Sequence, residues 1–267
     1  MANQLADYDI VGTVVDDGVL PCLTARRPPR LGGGEGTVSI WVLGPLARAP
    51  LAAARGRLLA AAAVRSPHLP QWLEAGAGEW AQRPVVFVSA ATAVTGTLAA
   101  ANLSPRDKVV ALAAAARGAH ALHEAGVLHG GICPQAVALA GPAPDGAVLA
   151  PPALADGKRP LVQVGYPPLA FVDPQLLRGN GGRWSDIWAI GATLRYLVSG
   201  SAPFPGKDEV PVVQALAQLL TAPAPAPADM PAPASELAQQ CLSTDPAARP
   251  LTALEVADRL DQIGRQW

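Results

Sequence analysis

Lysine, asparagine and cysteine are scarce in this chain, and each scarcity excludes something. Three of each occur: Lys108, Lys158 and Lys207; Asn3, Asn102 and Asn180; Cys22, Cys133 and Cys241. An odd number of widely separated cysteines excludes a disulfide framework, and no Cys/His spacing matches a zinc site. Charged residues make up only 15% of the chain and the formal net charge is -1, which gives no basic footprint for nucleic acid or anionic lipid. Arg26, Arg27 and Arg30 cluster, but Pro28 and Pro29 lie among them and the segment reads as a solvated loop. No apolar run reaches the roughly 18–20 residues that a bilayer span requires. The alanine-rich segments are broken by Arg55, Arg57 and Arg65, and later by Arg117 and His120. Met1 to Asp7 has neither a basic nor an apolar region of the secretory kind, so the expectation is a cytoplasmic protein that does not span a membrane.

What is present is apolar and globular: half of 267 residues are hydrophobic, enough for one large domain or two lobes around one cleft. Ile10 to Val15, Val38 to Leu43 and Val85 to Val88 are β-branched runs that predict strands. Residues 51–65 predict a helix that stops at Ser66-Pro67. Beyond about residue 98 the pattern turns helical. Ser104-Pro105 starts one helix, which ends at Gly126; a second runs from near Ser185 to Gly200; a third follows Ser235; and Thr252-Ala253-Leu254-Glu255 opens the last as a capping box. Ala222 to Pro227 alternates Ala and Pro and reads as an exposed linker.

Four blocks in this order carry a resemblance. His129-Gly130-Gly131-Ile132-Cys133-Pro134-Gln135-Ala136-Val137-Ala138-Leu139 keeps the frame H-x-x-[IL]-x-P-x-x-[VI]-x-L. Phe171-Val172-Asp173-Pro174-Gln175 follows, then Ser185-Asp186-Ile187-Trp188-Ala189-Ile190-Gly191 running on to Gly200-Ser201-Ala202-Pro203-Phe204, then Cys241-Leu242-Ser243-Thr244-Asp245-Pro246-Ala247-Ala248-Arg249-Pro250. Together they resemble the eukaryotic-type Ser/Thr protein kinase family as found in bacteria. The resemblance implies an α+β, two-lobed protein-kinase-like fold over residues 8–262, between short termini at 1–7 and 263–267. A small β-rich N-lobe with one helix (about 8–90) would face a larger, mostly helical C-lobe (about 98–262). It also implies structural roles: Asp186 accepting backbone hydrogen bonds from the catalytic loop, His129 packed in the core between the lobes, and Arg249 paired with Gln175, which stands where the family has glutamate.

The side chains that transfer phosphate in that family are absent at the matching places. An active kinase uses an Asp as base and an Asn as metal ligand in the catalytic loop; here these are Gly131 and Ala136, with Cys133 between them. The phosphate-binding lysine is matched by Trp41, its glutamate partner falls near Arg57, and residues 8–90 contain no lysine at all. The Gly-rich loop is matched by Asp16-Asp17-Gly18-Val19-Leu20-Pro21, whose carboxylates would repel a nucleotide and whose proline lacks an N–H. The metal-binding Asp-Phe-Gly is matched by Pro152-Ala153-Leu154, and a shifted register offers only Asp156. A Cys-His nucleophile from Cys133 and His129 lacks an orienting carboxylate in sequence. Residues 137–184 contain no Ser or Thr, so phosphorylation of Ser or Thr there cannot order the segment.

The resulting expectation is a catalytically degenerate pseudokinase, not an enzyme. It would use no cofactor and no metal, and would act as a binding, scaffold or regulatory module for a protein partner in bacterial signalling. Trp41 is expected to fill the nucleotide pocket. Two alternatives stand beside this reading. One is a divergent nucleotide-binding kinase or transferase that uses arginines as its cations. The other is a substrate whose phosphothreonine (Thr24, Thr37, Thr95 or Thr97) docks a phosphopeptide-reading domain.

Overall fold

The computed structural model describes residues 4–17, 19–32, 36–43, 48–153, 167–204, 214, 217–218, 223, 225 and 227–267, with the side chains of 48–55 left undescribed. Gly18, Leu154, Asp156 and Tyr166, and the alanines Ala222, Ala224 and Ala226 of the Ala-Pro linker, lie outside the described residues.

Among the described residues nine strands form two sheets. The larger contains β1 (Gln4–Leu5), β2 (Tyr8–Val15), β3 (Cys22–Arg26), β4 (Thr37–Val42), β5 (Trp72–Trp80) and β6 (Arg83–Ala90), in the order β1-β2-β3-β4-β6-β5 and antiparallel throughout. The smaller pairs β7 (Gly96–Thr97), β8 (Val137–Leu139) and β9 (Val148–Leu149). The α-helices bounded among the described residues are α1 (Arg48–Ala63), α2 (Pro105–Glu124), α3 (Pro174–Leu177), α4 (Arg183–Ser199), α5 (Ala232–Cys241) and α6 (Ala253–Arg265).

The central strands are apolar on both faces because each face meets a different core. Val38, Ile40 and Val42 of β4 join Leu23, Ala25, Val85, Phe87, Leu5 and Tyr8 in the interior of the sheet. Their neighbours Trp41 and Leu43, with Cys22, Val86, Val88 and Ala90, point the other way. That second face is continuous with Leu58 and Ala61 of α1, the alanines of α2 and Ile187 to Leu194 of α4. Alternation along each strand thus distributes its residues between an inner core and a shared one.

This arrangement corrects the two-lobed protein-kinase-like fold. The chain is α+β, but its strands form a nearly closed, six-stranded, barrel-like sheet with its own interior, distinct from the helical part. The edge strands β1 and β5 approach each other where Leu5 meets Gly78. The expectation of a small sheet lobe failed because three strands were not recognised. Gln4–Leu5 is too short to show a period, Cys22–Arg26 follows a proline, and Trp72–Trp80 (Trp-Leu-Glu-Ala-Gly-Ala-Gly-Glu-Trp) has no β-branched residue. The β5–β6 hairpin turns on Ala81 and Gln82, both at positive φ (49° and 61°), without the Asn-Gly or Asp-Gly pair that marks such turns.

Helix ends follow side-chain chemistry. The Ser104 hydroxyl accepts the Asp107 N–H at 3.1 Å to cap α2, and the Thr252 hydroxyl accepts the Glu255 N–H at 3.1 Å to cap α6. α4 stops at Gly200, in the left-handed conformation at φ 70°. Arg117 of α2 bridges Asp258 and Asp261 of α6, at 3.0 and 2.8 Å. Among the described residues no helix is long and apolar enough to cross a membrane.

α4 and α5 touch so closely at Gly191 that a Cβ there would collide with that of Cys241. Gly191→Ala therefore destabilises the protein by about 1–3 kcal/mol through overpacking, offset in part by better helix propensity, as urea denaturation will show.

Candidate functional site

The loop after α2 is the centre of the candidate site. Asp186, on the first turn of α4, is fully buried and points its carboxylate at that loop. Oδ2 accepts the His129 N–H at 2.8 Å and Oδ1 the Gly130 N–H at 2.7 Å. Gly130 has φ +69°, a left-handed conformation that suits glycine and turns its N–H towards Asp186. The His123 ring, on the last turn of α2, also meets Oδ2, at 2.7 Å from Nε2. Burial alone would raise the Asp186 carboxyl, but the His123 bond, the two imidazoles and the Gly130 N–H hold it below the usual carboxylate value.

His129 is buried without exposure. Its Nε2 lies 3.0 Å from the Ala150 carbonyl, and its Nδ1 accepts the Gly131 N–H at 3.2 Å. Burial lowers its basicity below that of a free imidazole, and this outweighs the attraction of Asp186. The Ala150 N–H donates to the Ala136 carbonyl at 2.8 Å and the Ala153 N–H to the His129 carbonyl at 2.8 Å, so residues 150–153 lie against the loop.

The structure brings most of the sequence-derived positions together here. Gly131, Cys133, Ala136 and Pro152 are all buried. Burial pushes the Cys133 thiol up to about 12, which leaves it protonated and unreactive as a nucleophile near neutral pH. Trp41 is only 1% exposed, set edge-on against Trp72 with ring centroids 5.6 Å apart. Arg57 reaches from α1 to the Leu128 carbonyl, at 3.1 Å, so it braces the loop's approach. In the β2–β3 turn the Asp17 carboxylate accepts the N–H groups of Val19 and Leu20 at 2.9 and 3.3 Å, and these amides are thereby occupied. Asp16 is exposed, and the carbonyl of Pro21 accepts the Val42 N–H at 2.9 Å. Among the described residues no group of His, Cys, Asp and Glu is placed to hold a metal ion.

Arg249 stands apart from this loop, and its expected pairing with Gln175 is corrected. Its partner is Asp173: Nη1 and Nη2 donate to the two carboxylate oxygens at 2.8 and 3.3 Å, with both side chains buried. The same guanidinium donates to the carbonyls of Trp184 and Ser243, both at 2.9 Å. Asp173 also caps α3, accepting the Gln175 N–H at 3.1 Å. The pairing is therefore fully charge-assisted and two residues earlier than the resemblance implied. An Asp-Pro step at a helix start was the available signal for Asp173; for His123, nothing in sequence marked it as the partner of a buried carboxylate. Of the candidate threonines, Thr97 is buried, Thr24 is half-buried in β3, and Thr37 and Thr95 are exposed.

No protein-family model matches the chain.

Removing Asp173 would leave a buried guanidinium without its counter-charge. Asp173→Ala should cost about 3–5 kcal/mol in chemical denaturation, whereas Gln175→Ala should stay within about 0.5 kcal/mol. A large loss from the glutamine variant would return the pairing to Gln175.

Proposed function

We propose that the chain is a non-catalytic binding or scaffold module. Its loop at 129–139 resembles a Ser/Thr-kinase catalytic loop in frame but serves as architecture and carries no phosphoryl-transfer chemistry. One observation carries this reading: the places where that chemistry would need a base, a metal ligand and a phosphate cation hold Gly131, Ala136 and Trp41, all three buried and none with an ionisable side chain. A buried glycine and alanine neither take a proton nor bind a cation, and an indole enclosed against Trp72 offers no charge to a polyphosphate.

Two features support the same conclusion. The Asp17 carboxylate takes the turn amides that a phosphate would otherwise approach. Asp186 and His129 are bound in structural contacts: Asp186 to backbone N–H groups and His123, and His129 to Ala150 and Gly131. A module of this kind works by presenting a surface to a protein partner in a signalling assembly.

Thermal-shift titration with ATP, with and without magnesium, should leave the melting temperature unchanged, and labelled ATP should transfer no phosphate to the chain or to a generic acceptor protein. Saturable stabilisation by nucleotide, or phosphate transfer, would sink the proposal. Trp41→Ala should lower stability by about 3–5 kcal/mol without creating nucleotide binding; binding gained in that variant would mean that the indole alone closes the pocket.

A further inference from the structure

The two hydrogen bonds of the His129 ring assign its protonation. A carbonyl oxygen only accepts and a backbone N–H only donates. With Ala150 O at Nε2 and Gly131 N–H at Nδ1, the ring is neutral and carries its proton on Nε2. A second proton has one place to go, Nδ1, where it would face the Gly131 N–H donor to donor at the 3.2 Å now spanned by their hydrogen bond. Protonation therefore deletes one bond that shapes the loop and encloses an N–H with no acceptor.

Groups from several elements bear on this proton. Burial opposes it most; Asp186 on α4 favours it; the Ala150 carbonyl beyond β9 favours it; His123 on α2 and Arg57 on α1 oppose it. Asp186 is already divided among the His123 ring and the N–H groups of His129 and Gly130. His123 is a different case. Its Nε2 lies 2.7 Å from the Asp186 carboxylate, and that contact joins α2 to α4.

We propose that His129 is a proton-operated latch on the 129–136 loop: neutral, it holds the loop closed through Gly131 and Ala150, and protonated, it releases the loop while the surrounding helices stay folded. The direction follows from linkage. The closed loop depresses the basicity of the ring below the ordinary 6.5, so the open loop binds the proton more readily. Closure is fully favoured above that value and is lost as pH falls below it. The opening is local because α2 and α4 are held by their own apolar contacts and by the His123–Asp186 pair.

Hydrogen exchange on the full chain reads this directly, with each rate divided by the intrinsic amide rate at the same pH. Between about pH 7.5 and about pH 5, corrected exchange of the Gly130–Ala136 amides should rise about tenfold while α2 and α4 change little. His129→Gln, which cannot titrate, should abolish the pH response. An unchanged loop, an equal rise across the helices, or the same rise in His129→Gln would overturn the proposal. Should that variant fail to fold, imidazole nitrogen shifts of the unaltered protein decide: His129 still neutral when the loop has opened rules the latch out.

Discussion

The Asp186 carboxylate has no contact with solvent, and three donors from two parts of the chain converge on it: the His123 ring and the N–H groups of His129 and Gly130. An ionised carboxylate is costly to bury unless its lone pairs are matched, and here the matching groups are those of a loop that has no regular partner of its own. The dependence runs both ways. The loop's amides need the carboxylate, and the carboxylate needs the loop. Because Asp186 sits on α4 and His123 on α2, the same contact sets the spacing of the two helices that form much of the shared core. The positions of Gly131, Cys133 and Ala136 follow from it.

A second buried charge performs a similar task away from the loop. Arg249 joins the cap of α3, the start of α4 and the 243–250 segment through Asp173, Trp184 O and Ser243 O. Both sites place a planar, multiply bonding group where several chain ends meet, and backbone carbonyls or N–H groups supply what side chains do not. At both, buried polar groups hold irregular segments in place.

Much of the helical part was legible. Ser104, Thr252 and Gly200 mark helix ends by local rules, and local rules do not depend on what lies across the molecule. The sheet was less so. Ile10–Val15, Val38–Leu43 and Val85–Val88 announced themselves by β-branched residues, but Trp72–Trp80 carries alanine, glycine and glutamate and is a strand because β6 pairs with it along its length. The curl that brings β1 near β5 is a property of six strands together. No single segment encodes it, and so a two-lobed arrangement inferred from four distant motifs missed it. At the site, the sequence named Asp186, His129 and Arg249, but named Gln175 where the pairing belongs to Asp173, and did not name His123.

The sequence by itself determined which chemistry is available. It has no lysine in residues 8–90 and no acid between Ala125 and Pro144, and a glycine and an alanine stand at the loop positions in question. Folding cannot create a side chain that the chain lacks. Only the tertiary structure decided how the remaining polar groups are used, because hydrogen-bond partners such as His123 and Asp186 lie 63 residues apart. Their meeting depends on how α2 and α4 pack, and the neutral state of His129 depends in turn on two backbone groups that have no sequence signature.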